Sequence, residues 1–71
     1  GERKMENKRI AALREQIERR QQTIKKYEAL AAQFPGSDSV SKGSRKYYQG
    51  MARHAAEKKA ELEQELAGLN T

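Results

Sequence analysis

His54 is the sole histidine among 71 residues, and there is no cysteine to accompany it. Acid–base or nucleophilic catalysis needs several convergent groups, and a metal site needs three or four ligands. No second imidazole or thiol exists to join His54, which stands among Ala52, Ala55 and Ala56 and reads as an ordinary flanking side chain. A second cluster, Asp38 with Ser37, Ser39 and Ser41, contains the residue types that accept hydrogen bonds from the first free N–H groups of a helix, and capping accounts for it. Gly36, Gly43 and Gly50 recur at a seven-residue spacing that matches no phosphate-binding loop. The sequence therefore predicts neither an enzyme nor a cofactor or metal site.

What remains is electrostatics. Fifteen Lys and Arg stand against ten Asp and Glu, a net charge of +5, which favours acidic partners. The excess is uneven. Residues 35–59 hold Lys42, Arg45, Lys46, Arg53, Lys58 and Lys59 against Asp38 and Glu57, and Lys25 and Lys26 reach the same region. The last dozen residues hold Glu61, Glu63 and Glu65 with no basic residue. The expected binding set is Lys25, Lys26, Lys42, Arg45, Lys46, Arg53 and Lys58, with Tyr47 exposed among them. Such a set suits an acidic protein surface, where Tyr and Arg are typical anchors. It also suits phosphates with stacked bases, although no nucleic-acid module motif is present. A membrane surface is not the expected partner. No apolar run approaches the roughly 18 residues that span a bilayer, and no signal-peptide pattern opens the chain. The reading is of a soluble, intracellular chain.

Two elements must carry these residues. In the first, Ile10, Leu13, Ile17, Arg20, Ile24, Tyr27, Ala31 and Phe34 alternate steps of three and four, a heptad seam with one basic interruption. The residues between them are good helix formers, and Glu15 and Arg19 are placed to pair four apart. The pattern stops at Phe34-Pro35-Gly36-Ser37-Asp38-Ser39, a run of turn signals in which glycine permits a left-handed turn. In the second element, Tyr48, Ala52, Ala55, Lys59, Leu62, Leu66 and Leu69 repeat the seam. Gly50 marks close backbone approach or a softened turn, and Gly68 reads as a stop with Leu69 folding back. The boundaries predicted are helix over 4–34, turn over 35–41 and helix over 42–69. Frayed ends are expected at 1–3, where Gly1 looks like a cleavage scar on a fragment of a larger protein, and at 70–71.

Two amphipathic helices joined by a short turn bury their stripes by folding back on each other. The expected fold is all-α, a two-helix antiparallel coiled-coil hairpin. In a register where partner numbers add to about 82, Leu13 meets Leu69 and Arg20 meets Leu62. The C-terminal glutamates then lie beside Arg14, Arg19 and Arg20. With 35% hydrophobic residues, the seam is thin for a chain this short. Self-association into a homodimeric four-helix assembly, or support from the rest of a parent protein, is therefore expected, with Ile10 and Leu30 as contact points.

The layout of about 30 helical residues, a Pro/Gly/Ser/Asp turn and a second helix ending in a leucine seam resembles the HR1 repeat, an antiparallel coiled-coil finger of Rho-family GTPase effectors. The stretch from Arg9-Ile10-Ala11-Ala12-Leu13 to Glu65-Leu66-Ala67-Gly68-Leu69 covers most of the chain. Ile10, Leu13 and Ile17 are similar to the usual opening of that repeat. Where many such repeats carry a glycine midway along the first helix, this chain has Lys25-Lys26-Tyr27. The resemblance implies a small Rho-family GTPase as the partner. Helical hairpins of large serine recombinases and coiled-coil tails of ABC-type ATPases share the outline, which keeps a nucleic-acid or DNA-enzyme role open. The functional expectation is a non-catalytic protein–protein interaction module. The alternatives are a nucleic-acid-binding hairpin and a homo-oligomerisation element.

Overall fold

The fold comes from a computed structural model that describes the backbone of residues 2–70 and the side chains of residues 7–69. Two helices, α1 (Glu2–Ala32) and α2 (Ser39–Asn70), pack against each other as an antiparallel hairpin measuring 58 × 15 × 11 Å. Helix α1 begins two residues earlier than the expected 4–34 and ends two residues sooner, at Ala32, while α2 extends past the expected 42–69 at both ends, from residue 39 to residue 70. The assignment of Gly1 as a scar and of Thr71 as frayed lies outside the described residues.

Helix α1 contains no Gly or Pro and runs unbroken until proline forbids helical geometry at Phe34. Its last turn tightens: Gln33 N donates to Leu30 O and Phe34 N to Ala31 O, each at 3.1 Å. Its final turn holds no basic residue. Arg45 of α2 supplies one, donating from Nη1 to Phe34 O at 2.7 Å and Gly36 O at 3.0 Å. A cation at the negative end of a helix is favourable, and here it ties the loop to α2 as well. Asp38 caps α2, its Oδ2 accepting Ser41 N at 3.0 Å, while Lys42 N donates to Asp38 O at 2.9 Å.

No described residue has positive φ, so Gly36 makes no left-handed turn. It is needed for room instead: a Cβ there would lie 2.7 Å from Asp38 Oδ1 and 3.1 Å from Ser41 Oγ. Gly50 is not a point of close approach, since a Cβ at that position meets nothing within 4 Å. Gly68 is no stop. With no left-handed residue to end it, α2 continues to Asn70, and Leu69 is 38% exposed instead of folded back.

The stripes expected from the heptads form the seam, with corrections. Leu13, Ala31, Ala52 and Ala55 are buried, and Ile10, Ile17, Ile24, Tyr27, Phe34, Tyr48, Leu62 and Leu66 are half-buried. Arg20 is exposed and, among the described residues, pairs with no glutamate; Gln21 is half-buried in its place and accepts a 2.6 Å hydrogen bond from Lys59 Nζ. The cause is helical pitch. Three turns at about 3.6 residues carry the stripe from Ile10 to the level of residue 21, where a strict heptad count gives 20. The expected register holds at Phe34–Tyr48 and to within two residues at Gln21–Lys59. The ion pairs are arranged differently from expectation. Glu65 crosses to Arg9, Arg19 turns to Glu15 of its own helix at 2.7 Å, and Glu61 to Lys58 at 3.6 Å. Partners one turn away on the same helix are within easy reach, so only one of these glutamates bridges the helices.

Candidate interaction surface

All four aromatic rings of the chain meet at the end nearest the turn. Tyr48 stacks on Tyr27 (centroids 6.1 Å apart) and on Phe34 (5.9 Å), and Tyr47 meets it edge-on at 5.4 Å. Lys26 Nζ lies 5.8 Å from the Tyr27 ring centroid, a cation–π contact. This cluster fixes the rotation of both helices at the tip, and so which way the neighbouring cations face.

Two shallow grooves show which flanks share a surface. One is lined by Glu28, Ala31 and Ala32 of α1 with Arg45 and Gln49 of α2, and the other by Arg14, Ile17 and Glu18 with Glu63, Leu66 and Ala67. Residues three, four or seven apart fall in one row on a helix. Lys42, Lys46, Gln49 and Arg53 thus form a row on that surface, and Lys25, one turn before Glu28, lies across from Arg53. Lys25, Lys42, Lys46 and Arg53 are exposed and, among the described residues, pair with no carboxylate. We call this the basic face.

The remaining residues expected in the binding set are not on it. Arg45 is half-buried and committed to the loop carbonyls, and Lys58 is half-buried beside Glu61. Tyr47 follows Lys46 by about 100° of helix rotation and faces the reverse surface, where Lys26 lies at the edge over Tyr27. Of the two expected contact points, Leu30 is half-buried on the reverse surface, while Ile10 is half-buried in the seam. The row spacing was present in the sequence. So was the step of about 100° that turns Tyr47 away from Lys46; which flank of α1 each of them joins needed the mutual rotation of the helices, which the packed rings define.

The ionisable groups add one feature. The Asp38 carboxyl is held below the usual aspartate value, first by the Ser41 hydroxyl and then by the Ser41 backbone N–H, both of which favour the charged form. Among the described residues, no group of three or more His, Cys, Asp or Glu could hold a metal ion. No described helix is long and apolar enough to cross a membrane. Comparison of the chain with protein-family models, with curated proteins and with solved structures found no match.

Proposed function

We propose that the hairpin is a non-catalytic protein–protein interaction module whose basic face docks on an acidic protein surface. The observation that carries this reading is the row of Lys25, Lys42, Lys46 and Arg53 on one side of a two-helix rod, none of them paired with a carboxylate among the described residues. Cations left without intramolecular partners steer association and select a complementary surface. The HR1-like outline supplies a specific candidate for that surface, a small GTPase of the Rho family.

The same row could neutralise phosphates, and nucleic acid is the second reading. Binding of unpaired strands relies on aromatic platforms beside the cations. Here Tyr47 faces away from the row, so the row offers no platform for unpaired bases, and a protein partner must be held by the cations without a tyrosine anchor. Titration of the chain against a GTP-loaded Rho-family GTPase and against a DNA oligonucleotide, each over a salt series, tests the proposal. The expected result is GTPase binding weakened at least about tenfold by Arg53→Glu, a loss near 1.4 kcal/mol. Binding to the oligonucleotide alone, with a steep log–log salt slope, would replace the first reading with the second.

A further inference from the structure

The reverse surface holds the unused apolar material of the molecule. The exposed large hydrophobic residues among those described are Val40 at 74%, Tyr47 at 62% and Leu69 at 38%. They fall on one flank of α2: Tyr47 is two turns from Val40, and Leu69 follows about six turns later. Met51, one turn past Tyr47, and Leu30 of α1 are half-buried on the same surface. Beneath it the core is slight, for Leu13 is the one large side chain wholly buried among the described residues, and Ala31, Ala52 and Ala55 make up the rest. Chains of this size often gain stability from disulfides, metals or oligomerisation. There is no cysteine, and no metal-binding cluster among the described residues.

We infer that this surface is covered by a second copy of the chain, in a two-fold assembly with the two tips at opposite ends. Three observations identify the occupant and its direction. The flank of the whole rod, 58 by 15 Å in extent, has room for the ~800 Å² per partner that a stable interface buries. Residues 22–58 hold seven Lys and Arg against Asp38, Glu28 and Glu57, whereas the open end is nearly balanced and carries Glu61, Glu63 and Glu65. Tip beside tip is therefore repulsive, and tip beside open end is not. Val40 and Leu69 lie about 44 Å apart along α2, at opposite ends of the surface. A two-fold axis across the rod sets Val40 of each copy against Leu69 of the other, so one contact made twice covers both. The basic faces point outward, and the inference stands whether or not they bind an acidic partner.

Sedimentation of the full chain from micromolar to millimolar concentration, followed by single-cysteine cross-linking, tests this. The expected result is a reversible dimer that Val40→Glu weakens at least about tenfold with helicity retained. The first turn of α2 contains no acidic residue, and a glutamate there suits the positive end of the helix, so unfolding does not explain a loss of association. On oxidation, a mixture of Val40→Cys and Leu69→Cys chains is expected to give the mixed disulfide, and Val40→Cys alone to give none. A monomer at every concentration overturns the assembly. A Val40→Cys homodisulfide, or absence of the mixed product, overturns its direction.

Discussion

Toward the turn, the seam consists of stacked rings and buried alanines; toward the open end it is aliphatic, with Leu13 wholly enclosed near half-buried Ile10, Ile17, Leu62 and Leu66. The tip is held by directional contacts, the rings around Tyr48 and the Arg45 bridge to the loop carbonyls. The open end relies on apolar burial and the Arg9–Glu65 pair. Gln21 and Lys59 form a polar layer at the boundary, and a single polar layer in an apolar seam penalises slippage. Net charge divides at the same place, since the tip side holds few carboxylates and the open end carries Glu61, Glu63 and Glu65. The contrast separates two tasks: the open end supplies burial, while the tip fixes the geometry of a surface.

The strongest perturbation is Leu13→Ala, which should cost about 3 kcal/mol as the enclosed side chain leaves a cavity. A shift in the urea midpoint measures it. Tyr48→Ala should cost less, about 2 kcal/mol, since the residue is half-buried where Leu13 is wholly enclosed. Every aromatic residue lies in the tip cluster, so near-ultraviolet circular dichroism reads the tip while the far-ultraviolet signal reads both halves. Tyr48→Ala should flatten the near-ultraviolet signal below the unfolding transition, and Leu13→Ala should leave it intact there. Equal loss in both variants would show that the halves do not divide the work.

The open end was the more legible half. Its residues are aliphatic, and alternation of three and four exposes their stripe directly. The miss at Arg20 arose from counting strict heptads where the helix keeps nearer to 3.6 residues per turn. At the tip, the aromatic residues were visible but their consequence was not. Arg45 looked like one more free cation, because a helix end capped from the partner helix, 11 and 9 residues away in sequence, leaves no local pattern. Tyr47 was grouped with Lys46 by adjacency, although neighbours on a helix diverge by about 100°. A glycine in a turn suggests left-handed geometry, whereas the value of Gly36 is the space it leaves for Asp38 and Ser41.

The glycines of the tip give a smaller pair of effects with opposite signs. Gly50→Ala should stabilise the hairpin by about 1 kcal/mol, as glycine is that much poorer than alanine inside a helix and a Cβ there meets nothing. Gly36→Ala should destabilise it, because the added methyl pushes Asp38 from its capping position. Thermal midpoints of the two variants would move in opposite directions. A shift of the same sign in both would mean that the loop is looser than its cap requires.

The smallest effect concerns the cap itself, and pH reads it. Hydrogen bonds from the Ser41 hydroxyl and N–H hold the folded Asp38 value below the unfolded one. The cap therefore contributes its full stability at pH above the unfolded aspartate value of about 4. That contribution is lost as the pH falls through the lower, folded value. Asp38→Asn keeps a capping oxygen but does not titrate, so the difference between wild type and Asp38→Asn in urea midpoint should be constant at neutral pH and shrink in acid. Ser41→Ala removes the larger of the two causes and leaves the backbone donor, so its acid limb should lie between those two. Coincident acid limbs for all three chains would mean that the carboxylate is not bound to the start of α2 in solution, and that the tip is held by its rings and Arg45 alone.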